Sequence, residues 1–493
     1  MTDKELEKYF LKFREKTIGY DAVYQSPYDE MKLVYADWIA SGRLYGPIED
    51  KIRNEFGPFV ANTHTETSEA GSRMTRAYGY AHRFIKSHVN AGNDDVIITA
   101  GSGMTTVVNK LQRILGLRPC HTGEKVSYAN PDDRPIVFIT HMEHHSNQTS
   151  WYETIAEVIV VEPDEDLLVD LEDLRRKLYQ YRSRKIKIGS FTACSNVTGI
   201  LTPYHEMAKI MHENEGLCFI DFAAAAPYVN INMHPADPME KLDGIYFSPH
   251  KFLGGPGYSG VLVFDKSLYN QVVPDNPGGG TVNWTNPWGE YKYIDDIEVR
   301  EDGGTPGFLQ AIRTALAIEL KNIMGVDNIL KREHYLVEKF FRGLYDTEGI
   351  HILASSHTNR LGAISFYHTN IHYNLFVKLL SDRFGVQARG GCACAGTYGH
   401  YLLHVDHEHS RLIADKISRG DLSDKPGWVR VSLHPVMTDD EIDFIINAIR
   451  EICKNFMHWS KDYKYSQKTN EYFHRSFSGH DKLIDKWFKL TDD

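Results

Sequence analysis

Disulfide chemistry is the first thing this sequence leaves out. Six cysteines (Cys120, Cys194, Cys218, Cys392, Cys394 and Cys453) are scattered through 493 residues, too sparse for a disulfide framework and in keeping with a reducing cytoplasm. No apolar run approaches the roughly 20 residues needed to cross a bilayer. The opening Met1-Thr2-Asp3-Lys4-Glu5-Leu6-Glu7 is charged and lacks the apolar core of a signal peptide. The expected location is therefore the cytoplasm. No block of basic residues stands out and the formal net charge is −11, which argues against nucleic acid or an anionic membrane as a partner. There is no internal repeat and no low-complexity tract. What remains is an ordinary soluble composition, 42% hydrophobic and 25% charged. The chain is too long for one small core, so two or more domains are expected.

Against that background one stretch stands out: Ser248-Pro249-His250-Lys251-Phe252-Leu253-Gly254-Gly255-Pro256-Gly257. It follows a short apolar run, Gly244-Ile245-Tyr246-Phe247, that reads as a buried strand. It then breaks into Gly and Pro, where backbone can approach a ligand closely. A lysine at a strand end can form an imine with a carbonyl cofactor, and Ser248 and His250 can hold a phosphate. The same stretch also reads as a surface lysine in a turn.

The chain around it alternates strands and helices. Strands are expected at Asp95–Ala100, Pro135–Thr140, Glu157–Val161, Ile186–Ser190, Leu217–Ile220 and Ser259–Phe264. Helical spacing appears over 68–90, 107–115, 170–182 and 205–214. Near-continuous apolar strands between helices predict an α/β fold with a mostly parallel sheet covered on both faces. Ligands gather outside the carboxyl ends of such strands, and Thr105, His144, Asn196, Asp221 and Lys251 all fall there. The turn Gly101-Ser102-Gly103-Met104-Thr105-Thr106, between a strand and a helix, can bind phosphate on exposed N–H groups, or be a plain βα turn. Four segments are expected: a helical arm over 1–30, a large domain over 31–310, a smaller α+β domain over 311–455, and an extension over 456–493 that is aromatic and charged with weak periodicity. A long helical region over 308–345 leaves the large domain, and an amphipathic helix spans 439–455.

A lysine imine to pyridoxal phosphate needs a carboxylate at the pyridine nitrogen, and Asp221 suits that role, although it can equally cap the next helix. His144 can lie on the ring face, or the His-His pair can be a polar loop or a metal ligand. Gly103, Met104 and Thr105 with Ser248 and His250 form a set of phosphate donors. Arg430 can hold a substrate carboxylate or sit in an internal salt bridge. In Arg389-Gly390-Gly391-Cys392-Ala393-Cys394-Ala395-Gly396, a cysteine in a glycine loop near arginine can be a nucleophile. The pair Cys392 and Cys394 can also be inert, or bind zinc with His400, His404, His407 and His409, although Cys-x-Cys is not the usual zinc spacing.

These motifs resemble the class V aminotransferases, fold-type I pyridoxal-phosphate enzymes that include cysteine desulfurases and selenocysteine lyases. The similarity covers roughly residues 30–455. Ser248-Pro249-His250-Lys251 looks like that family's Ser-x-His-Lys, which implies Lys251 as the imine lysine. Glu143-His144-His145-Ser146-Asn147 resembles Glu-His-His-x-Asn, implying that His144 stacks on the ring. Ser195-Asn196-Val197-Thr198-Gly199 is similar to Ser-Asn-Val-x-Gly, with Asn196 near the cofactor O3′ or the substrate. Gly304-Thr305-Pro306 looks like the Gly-Thr-Pro by which one subunit touches the phosphate in its partner, so the resemblance implies a homodimer with shared sites and Thr305 at the phosphate. Arg430 falls where the family binds the substrate carboxylate. The run from Arg389 resembles the desulfurase loop and puts Cys394 at the sulfur-accepting cysteine. Its Cys-x-Cys form looks more like the sulfurase domain of molybdenum-cofactor sulfurases.

The implied fold is a fold-type I transferase, with a mostly parallel sheet of the seven-stranded type in the large domain and a smaller α+β domain. The implied reaction converts cysteine to alanine and leaves a persulfide on Cys394, for delivery to a sulfur-acceptor protein. Two departures bear on the substrate. Ala224 stands where the family often has Gln or His, and Phe222 replaces a common glycine. The family also contains transaminases, epimerases and C–S lyases. A protein of this fold without catalysis, using the Cys/His stretch for metal, is the alternative from another class.

Overall fold

Seven strands, six of them with side chains buried almost throughout, pair into one sheet. The computed structural model describes residues 1–118, 128–477 and 481–490, and Cys120 lies outside the described residues. In spatial order the strands are Asp95–Ala100, Gly260–Asp265, Gly244–Phe247, Leu217–Asp221, Lys187–Thr192, Ile136–Thr140 and Glu157–Val161. Gly260–Asp265 runs antiparallel to both neighbours, and the other pairings are parallel. Parallel strands need helical crossovers on both faces, which explains why they are apolar on both sides rather than alternating. Glu157–Val161 is mostly half-buried, as an edge strand should be.

Helices form close to where the spacing places them. Glu69–His88 begins after Ser68, whose hydroxyl accepts from Gly71 N–H. Asp170 caps Leu171–Gln180 in the same way. The helix after the glycine turn starts at Met104, earlier than the apolar pattern indicated, and runs to Ile114. The region expected to be helical over 308–345 divides into Phe308–Met324 and Val326–Leu344. Gly325 separates them at φ +77°, a left-handed conformation that glycine adopts without penalty.

A second, antiparallel sheet orders Ile350–Ile352, Ala363–His368, Trp428–Ser432 and Arg389–Gly391. The Asp439–Trp459 helix continues past the predicted end. Within the region expected only as an extension, Tyr463–Ser466 and Glu471–His474 form a hairpin. The N-terminal helix Asp3–Arg14 buries Leu6, Phe10 and Phe13, and Arg14 makes two 2.6 Å bonds to Glu441. Just beyond, Val34–Tyr35 pairs in parallel with Val386–Gln387, and Asp37 bridges to Ser432. The two sheets meet closely at Gly199, where a Cβ would lie 2.2 Å from Leu361 O. There Leu361 N–H donates to Gly199 O at 2.8 Å, and Ser365 Oγ donates to Val197 O at 2.7 Å.

The Met104–Ile114 helix is anchored by a buried charge. Lys110 Nζ lies 2.5 Å from Glu301 and 3.3 Å from Asp275, with all three side chains out of water. Removing the cation leaves buried carboxylates short of a partner. Lys110→Met should therefore destabilise the protein by about 3 kcal/mol, read as a lower denaturant midpoint with the far-UV spectrum retained before the transition. An unchanged midpoint would show that the pair does not hold this helix.

Candidate active site

The carboxyl ends of the parallel strands and the edge of the small sheet enclose a cavity of about 290 Å³. Met104, Thr105, His144, Asn196, Asp221, Ser248, His250, Lys251, Cys394 and Arg430 all line it. A larger groove of about 610 Å³ runs along the Glu69–His88 helix but contains none of these residues.

Lys251 ends a single 3-10 turn, Pro249–Lys251, immediately after the Gly244–Phe247 strand. Burial pushes its amine down to about 8, with Asp221 opposing the shift and Arg430 adding to it. Asp221 closes the next strand and is buried. Burial raises its carboxyl to about 6, against the stabilising Ala223 N–H and the Lys251 charge. Asp221 Oδ1 accepts that N–H at 2.8 Å, so the residue also caps the turn after its strand.

His144 precedes the helix His145–Tyr152, and its Nδ1 accepts from Ser146 N–H at 3.1 Å. Burial, with Lys251 next, holds its pKa down to about 3, so the ring is neutral. The turn carrying it is pinned from behind by Glu143, whose carboxylate takes Thr140 Oγ1 at 2.7 Å, Thr192 N–H at 2.9 Å and Asn147 Nδ2 at 2.7 Å. Burial lifts the Glu143 carboxyl to about 7 despite these donors.

The opposite end is built for an anion. Ser248 Oγ accepts from Met104 N–H at 2.9 Å, and His250 Nδ1 donates to Ser102 O at 3.0 Å. Thr105 Oγ1 lies 2.7 Å from Ser146 Oγ. Gly103 sits at the start of the Met104–Ile114 helix, where a Cβ would come within 3.1 Å of both His250 and Ser248. A helix start with three polar side chains around it forms an anion cradle.

Arg430 reaches in from the small sheet. Its Nη2 pairs with Asp37 at 2.9 Å, its Nη1 donates to Asn196 O at 3.0 Å, and its buried Nε has no partner. The same Asp37 also holds Arg389, with Nε at 3.0 Å and Nη2 at 2.9 Å. Asn196 donates through Nδ2 to Ala393 O at 2.7 Å and leaves a buried, unpartnered Oδ1. Cys394 is exposed on a turn closed by Ala395 N–H to Cys392 O at 3.0 Å. Ala393 and Cys394 are left-handed at φ +49° and +56°. Two consecutive non-glycine residues in that region store about 1–2 kcal/mol each.

These features fit pyridoxal phosphate, the cofactor implied by the sequence resemblance. An amine, a buried carboxylate, a flat neutral ring and an anion cradle face one cavity, and two buried polar atoms there lack partners. Thr305 stands apart: it is exposed and does not line the cavity. His400, next to the cysteine loop, is engaged with Gly396 O at 2.7 Å and Ser410 Oγ at 2.8 Å. Among the described residues no group of three His, Cys, Asp or Glu side chains is placed to hold a metal. Three contributors were not assigned from sequence. Asp37 carries no local signal linking it to residues near the C-terminus. Glu143 and His145 lie inside a motif that was read only for His144.

The aminotransferase class-V family profile matches residues 34–445. A probable cysteine desulfurase from Halalkalibacterium halodurans is 27% identical over 372 residues, covering 74% of this chain and 84% of that protein. A cysteine desulfurase from Haloferax volcanii is 24% identical, covering 77% and 85%. Among solved structures, the apo cysteine desulfurase of Thermococcus onnurineus superposes with a TM-score of 0.71 at 20% identity, over 90% of this chain and 98% of that one. A cysteine desulfurase from Escherichia coli superposes at 0.67 with 18% identity, over 92% and 99%. The fold of this chain is thus shared with those enzymes, and the extent of the profile match shows that it belongs to the aminotransferase class-V family.

Proposed function

We propose that this chain is a pyridoxal-phosphate-dependent cysteine desulfurase that transfers sulfur from cysteine to its own Cys394 and releases alanine. One observation carries the reading: Cys394 lines the same cavity as Lys251 and Asp221. The relatives named cysteine desulfurases support it.

Lys251 would hold the cofactor and would move the proton at the substrate Cα. The cofactor supplies an electron sink at that carbon. Asp221 supports that sink as a carboxylate at the end of its strand, while neutral His144 covers the ring face. Gly103, Met104, Thr105, Ser248 and His250 hold the phosphate. Arg430 Nε and Asn196 Oδ1 are the free polar atoms for the substrate carboxylate and the cofactor hydroxyl. Cys394 would attack the substrate sulfur as a thiolate, forming the S–S bond of a persulfide as the substrate Cβ–S bond breaks. The electron pair of that bond would stay with the three-carbon fragment, which takes up a proton and leaves as alanine. A sulfur-acceptor protein then takes that sulfur at the exposed turn.

A homodimer with shared sites is part of this reading. Thr305 is exposed outside its own cavity, and the nearby Val282–Thr285/Tyr291–Tyr293 hairpin carries the exposed Trp284, Trp288 and Tyr291. The cytoplasm is the proposed location, and among the described residues no helix is long and apolar enough to cross a membrane. One observation favours a second reading within the family. Ala224 lines the cavity where relatives often carry a hydrogen-bonding side chain, so a transaminase, epimerase or C–S lyase acting on another amino acid is the alternative. A panel of amino acids with product analysis separates them.

Purified protein given cysteine should yield alanine and sulfur released by a reductant. Cys394→Ala should lower alanine formation by about 100-fold or more while keeping the visible change on adding cysteine; full turnover in that variant would refute the persulfide step. The rate should also rise with pH through about 8 and level off above it, because only neutral Lys251 takes the Cα proton. A rate already flat between pH 6 and 9 would remove Lys251 from that role. Lys251→Ala should cost about 10²–10⁴-fold in rate, measured as alanine formed per bound cofactor.

A further inference from the structure

The helix His145–Tyr152 does more than begin beside the cofactor face. His144 precedes it, and its next residues face the cysteine loop. His145 N–H donates to Cys394 O at 2.7 Å. The His145 ring then accepts Gly396 N–H on Nε2 at 2.9 Å. One residue thus holds the chain at two points just after the Cys394 side chain, the Cys394 carbonyl and the Gly396 N–H. One helical turn further, Gln148 pairs with Thr397 Oγ1 through both ends of its amide, at 2.7 and 3.0 Å. Gly396 and Thr397 open the short helix Gly396–Leu402 that follows the cysteine. A Cβ on Gly396 would sit 3.1 Å from His145 Nε2, so the contact is close.

This clamp acts on a backbone that needs holding. Ala393 and Cys394 are both left-handed, a conformation that persists only where the surroundings over-determine it. Asn196 Nδ2 supplies one anchor at Ala393 O. His145 supplies two more, at Cys394 O and Gly396 N–H.

We infer that His145 is a positioning residue that sets the place of Cys394 over the cavity. The inference rests on the desulfurase reading for its consequence in catalysis, though the clamp itself is a matter of geometry. The helix start fixes His144 against the cofactor face and His145 against the nucleophile loop. Accepting from Gly396 requires a neutral ring with its proton on Nδ1, and burial, followed by the Lys425 charge, disfavours the charged form.

Three cofactor-loaded proteins test this: wild type, His145→Ala and His145→Gln. Glutamine can present its amide oxygen near the position of Nε2, and alanine cannot. Hydrogen exchange of peptides covering 391–400 reports the loop, and alanine formation from cysteine gives kcat and KM. In His145→Ala, exchange at the loop should rise and kcat fall, each about 5–10-fold, as for one lost hydrogen bond. KM and the visible band of the bound cofactor should stay near wild type. His145→Gln should recover both the protection and kcat. Unchanged exchange and kcat in His145→Ala would overturn the proposal. So would loss of the cofactor band together with kcat and no recovery by glutamine, which would make His145 a general structural residue. Wild-type protein forming no alanine would defeat the desulfurase reading alone, and the exchange comparison would still judge the clamp.

Discussion

A lysine and an aspartate removed from water and facing one cavity set the terms for the rest of this molecule. Neither Lys251 nor Asp221 is stable as a lone charge in a buried setting. Each moderates the other: the lysine opposes the rise of the carboxyl, and the carboxylate opposes the fall of the amine. The adjacency follows from parallel pairing of the Leu217–Asp221 and Gly244–Phe247 strands, which end next to each other on the same edge. Everything that makes the sheet parallel, from the apolar strands to the crossover helices, therefore also brings these two groups together.

Around that pair the small sheet contributes positive charge and sulfur. Asp37 holds Arg430 and Arg389 at once, leaving Arg430 fixed but with Nε unspent. Of the two readings open to the arginine from the sequence, the internal ion pair is present, and the Nε stays free for the other. The cysteine turn is held in a disfavoured conformation by donors that follow strands of the large sheet, Asn196 and His145. Strain at Cys394 and rigidity in the elements around it belong together: the turn has no local reason to keep this shape.

Much of this was legible before any coordinates. The strands could be read because burial on both faces leaves a continuous apolar run, and helix starts could be read from caps such as Ser68 and Asp170. Other features were not. The break at Gly325 hides inside one uninterrupted helical pattern. The hairpin from Tyr463 to His474 pairs short aromatic segments whose alternation is too brief to register. Asp37 carries no local signal, because its meaning comes from arginines far along the chain.

The sequence by itself determined the α/β alternation and the family, and it singled out the lysine, aspartate, histidine and cysteine that the structure brings to one cavity. Those are local properties: burial and close backbone approach act on neighbouring residues and leave runs and glycine turns behind. Only the tertiary structure decided which loops meet, namely that Asp37 clamps two arginines and that His145 holds the Cys394 carbonyl and the Gly396 N–H. Such contacts join residues far apart in the chain, and nothing local selects them. They arise when the two sheets pack and each buried polar group must find its partner.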